Sequence, residues 1–339
     1  MNGMPPASRQ PEVGRRILVC LDRSPSSEGC IPSAVALAKT LGSSITLVHV
    51  LHPPRDHRGL QPSSALGWEI SRQEAQSYLR RLEQQVAGAL GRSIDSRLEQ
   101  GQPAERIVEL ARELDADITV LGSRGEGGDL AWFLGSTAQQ VLTLARNSVF
   151  IAHSASSAPV EMTPRRILVP LDGSQRAESV LPVAARMART QGAEMLVVHV
   201  VQEPLPTALM EVAGCMELAI KLAARLQVGA KRYLERIAQQ LLRDGAAVRT
   251  LVLRHANAQQ CLLEIARSEQ ADLVMLSAHG STCDSVRSFG SVTAHLLSRS
   301  TVSMLVLQDL IERDAHPARA AASRLAPPSA RATHAAELA

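Results

Sequence analysis

The chain has 339 residues, 45% of them hydrophobic and 20% charged, enough to build two ordinary cores. A formal charge of +3 and only 2% aromatic residues supply neither the basic surface nor the stacking platforms of a nucleic-acid binder. Five cysteines without a C-x-x-C pair read as reduced thiols, no apolar run approaches the ~20 residues that span a bilayer, and the N-terminus lacks a signal core, so a cytoplasmic protein is expected.

After a polar lead, Arg16–Leu21 reads as a buried strand, and Ile31, Ala34, Val35 and Ala38 lie at helical spacing. Pro32 is compatible with that helix only in its first turn, and Pro182 repeats it later. Ile45–Val50 is the next strand. A proline- and histidine-rich stretch from His52 to Pro62 leads into a long helix ending near Leu90. Ile94–Leu98 alternates as a strand, and Pro103 opens a helix that reaches Leu114. Ile118–Leu121 is another buried strand, Ala138, Val141, Leu142 and Ala145 mark a helix, and Asn147–Ala152 is a last strand. Strands alternating with helices, several of them apolar throughout, predict a parallel sheet covered on both faces. Right-handed crossovers bring the strand-to-helix loops to the carboxyl edge of that sheet, where ligands bind at a switch in strand order.

Asp22 and Gly122 both fall on that edge. Gly122, Gly125, Gly135 and Ser136 form a spaced loop between a strand and a helix start, an arrangement that brings bare backbone N–H groups up to a phosphate. The block then recurs 155 positions later as Ser277, Gly280, Gly290 and Ser291, with serine in place of the first glycine. Nearer the start the offset is 150: Ile17, Leu18, Val19, Leu21, Asp22 and Ser24 match Ile167, Leu168, Val169, Leu171, Asp172 and Ser174, with Cys20 against Pro170, and His49-Val50 matches His199-Val200. The chain is therefore an internal duplication, with domains at 15–153 and 165–308, a linker at 154–164 and a disordered tail at 309–339. A Cβ at Ser277 would crowd a ligand or force an unusual backbone angle.

Ile-Leu-Val-x-Leu-Asp-x-Ser at each unit's start, His-Val closing the second strand and the Gly-x2-Gly-x9-Gly-Ser loop resemble the universal stress proteins, over nearly all of both units. The resemblance implies an α/β, Rossmann-like fold: two tandem open parallel five-stranded sheets in order 3-2-1-4-5, with helices on both faces. It also implies an ATP site with Mg2+ or Mn2+. Asp22 then stands at the ribose, Val50 beside the adenine, and Gly122, Gly125, Gly135 and Ser136 around the phosphates. Thr137, where the family often has valine, is compatible with phosphate binding, and Arg124 in the same loop is suited to pairing with a phosphate or to a solvated position. The second-unit equivalents are Asp172, Val200, Gly280, Gly290 and Ser291. The resemblance further implies pairing through last strands. Here Ser148–Ala152 and Ser303–Leu307 would join the two units as an internal pseudo-dimer, with association of two chains beyond that.

Other readings stand beside these. Asp22 is as suited to capping a helix or ordering a turn as to holding a ligand. His49 and His199 close strands and read as structural, and His49, His52 and His57 lack the companion ligands of a zinc site. Paired carboxylates or a base-activated nucleophile are not evident, so no enzyme is expected beyond slow ATP turnover. The rivals to a nucleotide-dependent stress-response module are an interaction scaffold without nucleotide and an adenylating enzyme. The stretch after the first strand, Asp22-Arg23-Ser24-Pro25-Ser26, lacks the glycine that the enzyme would need.

Overall fold

The computed structural model describes residues 16–52, 65–123, 134–153, 164–203, 215–281 and 289–308. The first half comprises β1 (Arg16–Leu21), α1 (Pro25–Glu28), α2 (Ile31–Leu41), β2 (Ser44–Leu51), α3 (Ala65–Leu90), β3 (Asp95–Gln100), α4 (Pro103–Glu113), β4 (Ile118–Gly122), α5 (Ser136–Leu144) and β5 (Ser148–Ala152). The second half repeats the series as β6 (Arg166–Pro170), α6 (Gln175–Glu178), α7 (Leu181–Gln191), β7 (Glu194–Gln202), α8 (Cys215–Arg243), β8 (Ala247–His255), α9 (Ala258–Ser268), β9 (Leu273–Ser277), α10 (Ser291–Arg299) and β10 (Ser303–Leu307). All of the linker but its last residue (154–163), the tail from 309, Arg124, Gly125 and Cys283 lie outside the described residues.

Each half has its strands in the order 3-2-1-4-5, parallel throughout. The two sheets are one. β5 pairs antiparallel with β10, Phe150 opposite Leu305, so ten strands run β3-β2-β1-β4-β5-β10-β9-β6-β7-β8. Both strands are buried along their whole length, which removes two apolar edges that would otherwise pair with other chains. Because that junction is antiparallel, the carboxyl ends of the first half's strands and those of the second lie on opposite rims of the sheet.

Alternation along the strands feeds two cores. Ile17, Val19, Leu37, Leu82, Val120 and Phe150 pack on one face, where α2, α3, α7 and α8 lie, and the same cluster continues through Ile167, Ala184, Leu234 and Leu305. Leu18, Val48, Ile107, Val141 and Ile151 pack on the other, continuous with Leu168, Leu262, Leu296 and Val306. Both cores cross the midline, so the halves share their buried apolar area.

Local signals set the helix bounds. Pro32 and Pro182 sit in the first turns of α2 and α7, where a missing N–H has no helical partner to lose. Both helices stop at a left-handed glycine, Gly42 and Gly192, each with φ of 69°. At the amino edge, Asp117 accepts from the Arg16 amide at 3.1 Å, and Asp272 accepts from the amides of Arg165 and Arg166 at 2.8 and 2.9 Å. This matched pair of aspartates holds strand starts together. The short helices α1 and α6, directly after the first strand of each half, were not apparent from the apolar spacing.

Candidate functional site

β1 and β4 are parallel neighbours, with Val19 opposite Val120, so Asp22 and Gly122 emerge on one rim. Asp22 is half-buried. Its Oδ1 accepts from the Ser24 amide at 3.0 Å and the Ser24 hydroxyl at 2.6 Å, while its own amide donates to Ser27 Oγ at 3.1 Å. The cap of α1 is Ser24, whose hydroxyl accepts from the Ser27 amide. Asp22 thus orders the turn and does not cap the helix. Between Asp22 and Ser24, Arg23 holds a φ of 71°, where the second half places Gly173 at 88°.

Gly122 has a structural reason of its own. A Cβ there would lie 2.9 Å from the Ser26 carbonyl oxygen and 3.1 Å from Ser27 Cα, so the backbone of α1 occupies that space. Neither Gly122 nor Ser277 has a positive φ, which overturns the unusual backbone angle expected at Ser277. That serine is buried, ends β9 in ordinary strand geometry, and donates its hydroxyl to the His279 carbonyl at 2.5 Å.

The phosphate-loop residues divide in two. Gly135 donates its amide to the Ser123 carbonyl at 2.8 Å, and Gly290 donates to Ala278 at the same distance, so these two amides close the loops on themselves. Beyond each glycine a helix begins without a side-chain cap. The first N–H groups of α5, at Ser136 and Thr137, therefore have no partner within the helix, and Ser136 is exposed. The first residues of α10, Ser291 and Val292, repeat the arrangement. Uncapped amides and the positive end of a helix dipole can receive an anion. Val50 and Val200 are half-buried, each packed against the core on the side of α4 and α9.

In the second half Asp172 does more than hold its turn. Oδ1 accepts from the Ser174 amide at 2.9 Å and hydroxyl at 2.6 Å, and Oδ2 accepts from the Ser281 amide at 2.6 Å. A Cβ on Gly280 would collide with that same Oδ2, so only glycine lets the loop settle on the aspartate. Partial desolvation pushes the Asp172 carboxyl up, and the hydrogen bonds from Ser174 and Ser281 outweigh it, leaving the group below the usual carboxylate range.

Behind each aspartate lies a cluster that motif reading missed. His49 is buried and donates Nδ1–H to the Leu21 carbonyl at 2.8 Å, and the Tyr78 ring meets it edge-on at 6.1 Å. Arg81 lies 5.5 Å over the Tyr78 ring and reaches Glu28 Oε1 at 3.1 Å. Burial, then the Glu28 carboxylate, push the Tyr78 phenol well above its ordinary value, so the ring stays neutral. His199, Tyr233, Arg236 and Glu178 repeat the set, with His199 on the Leu171 carbonyl at 2.9 Å. The chain has two tyrosines, and both are here. Their spacing, the same 155 positions as the loops, was the available signal.

Among the described residues no group of three or more His, Cys, Asp or Glu is arranged to hold a metal ion. No helix among them is long and apolar enough to cross a membrane. Cys20 and Cys30 are buried free thiols, and burial pushes the Cys30 thiol up to about 12.

A family model for the universal stress proteins matches residues 14–153 and again residues 163–308. A universal stress protein of Mycolicibacterium smegmatis is 24% identical over 298 residues, covering 86% of this chain and 96% of its own. One from Synechocystis is 30% identical over 148 residues, 40% of this chain and 96% of its own. The crystal structure of a universal stress protein from Archaeoglobus fulgidus covers 87% of this chain and 99% of its own, with a TM-score of 0.62 at 19% identity.

Proposed function

The chain belongs to the universal stress protein family, and on that premise we propose that it is an ATP-binding regulatory module of the cytoplasm, acting in stress responses through nucleotide occupancy and without strong catalytic activity. The observation that carries this reading is the pairing, on one rim, of Asp22 after β1 with the uncapped start of α5 after β4. Asp22 would receive the ribose hydroxyls, Val50 would lie beside the adenine, and the amides and hydroxyls of Ser136 and Thr137 would receive phosphate oxygens. Arg124 and Gly125, outside the described residues, belong to the same loop. A bound nucleotide supplies the anionic charge that an uncapped helix start favours. Mg2+ or Mn2+ would arrive with the phosphates.

The adenylating reading requires a glycine-bearing loop after β1. The described turn there is filled by Ser24, Pro25 and α1 instead. For the second half, a specific observation favours the scaffold reading: Asp172 is already engaged by the Ser281 amide. Dialysis of the purified full chain against ATP and magnesium, then against buffer, followed by mass spectrometry of what denaturation releases, tests the proposal. Retained adenine nucleotide supports it, and protein that retains none speaks for the scaffold.

A further inference from the structure

The cluster behind each aspartate is more than core filling, because its contacts close on themselves. Start at Asp22. Its amide donates to Ser27 Oγ at 3.1 Å, and the next residue, Glu28, ends α1. The Glu28 carboxylate is held by Arg81 at 3.1 Å, Arg81 lies over the Tyr78 ring, and Tyr78 abuts His49. His49 then grips the carbonyl of Leu21, the residue that precedes Asp22. The circuit runs Asp22, Ser27, Glu28, Arg81, Tyr78, His49, Leu21, and back to Asp22.

We propose that this circuit is a positioning device: Ser27, Glu28, Arg81, Tyr78 and His49 hold Asp22 in the place from which it contacts the ribose. The inference rests on the nucleotide reading above and assigns the cluster a role within it. Stability alone is a poor account of it. The Arg81–Glu28 pair is exposed, and exposed ion pairs add little to stability. The Tyr78 ring instead sits where it links the elements: its edge meets His49, and its hydroxyl is buried beside Glu28 and Ser27, the two α1 residues of the circuit.

The second half supports the inference by differing at one link. It keeps His199, Tyr233, Arg236 and Glu178, yet Ala177 stands where the first half has Ser27. The hydroxyl that ties the aspartate's amide to the short helix is gone, and Arg236 lies 3.7 Å from Glu178. The first circuit is closed and the second open, so the first aspartate is the better placed of the two.

The test compares ATP with 2′,3′-dideoxy-ATP by calorimetry, in full-length chain carrying Asp172→Ala so that any preference reports on Asp22. A hydrogen bond to a charged group sets the expected preference for ATP at about tenfold. Ser27→Ala, which copies Ala177 of the second half and whose folding is checked by its thermal transition, should bring the ratio towards one while leaving dideoxy-ATP binding unchanged. Tyr78→Leu should do the same, and Tyr78→Phe, which keeps the ring, should retain the preference. General damage would weaken both nucleotides together. A ratio that stays near tenfold in Ser27→Ala or in Tyr78→Leu overturns the proposal while the nucleotide reading survives. If the starting protein binds ATP and dideoxy-ATP equally, the ribose role of Asp22 falls and the circuit's role falls with it.

Discussion

The backbone N–H of Ser281 donates to Oδ2 of Asp172 over 2.6 Å, so the second loop rests on the aspartate that a ribose would need. Ser277 reinforces this: its hydroxyl holds the His279 carbonyl, one residue before the glycine that packs on Asp172. A nucleotide entering there must displace the Ser281 amide, and the cost of breaking a hydrogen bond to a carboxylate weakens binding. The two sites should therefore be unequal, with the first tighter. Ser277→Gly should release the loop and strengthen the second site several-fold in an ATP titration. Two equal sites in the wild type would contradict this.

The same carboxylate gives a pH signature. The folded value of Asp172 lies below its unfolded value, so its contribution is complete above the unfolded pKa, about 3.9, and is lost as pH falls through the folded one. Asp172→Asn should lower the urea midpoint at pH 6, and the gap from wild type should close as pH drops below about 4. A gap independent of pH would place the aspartate's contribution elsewhere.

Gly122→Ala is expected to destabilise the protein by about 1–3 kcal/mol, the usual cost of forcing a methyl into filled space. The obstacle is the α1 backbone at Ser26 and Ser27, which cannot swing aside as a side chain can. Urea unfolding measures it. An unchanged midpoint would mean that α1 yields freely.

How much of this was legible beforehand depends on the range of the signal. The alternation of strands and helices, the repeated aspartates and the loop glycines were readable because each rests on local spacing that recurs 150 or 155 residues later, whereas the strand order came from the family resemblance. The reason for Gly122 was not, since α1 is four residues long and leaves no periodic trace. Nor was the loop closure by the Gly135 and Gly290 amides, which glycine spacing alone makes look like ligand donors. The circuit through His49, Tyr78 and Arg81 joins β2, α3 and α1, contacts that only the folded sheet creates.

Gly135→Asp tests whether the start of α5 is an anion site. Gly135 has φ of −69° and ψ of 157°, open to any residue, and an aspartate there would cap the free amides itself. Stability should rise by roughly a few tenths of a kcal/mol, while ATP affinity falls at least tenfold. A cap that leaves ATP binding intact would remove the helix start from the site.

The midline should be the cooperative heart of the molecule. Phe150, fully buried opposite Leu305 where the halves join, should cost about 3–5 kcal/mol when replaced by alanine. Calorimetry should show one transition at lower temperature, since both cores run through the junction. Two separate transitions in the wild type would show that the halves melt independently.

The central claim is that the first half binds ATP through Asp22 and the start of α5. Calorimetric titration of ATP with magnesium into the full-length wild type and into Asp22→Ala tests it most directly. Saturable binding by the wild type, weakened about tenfold in Asp22→Ala, is the predicted result. No binding by the wild type at millimolar ATP, or equal binding by the two proteins, would contradict it.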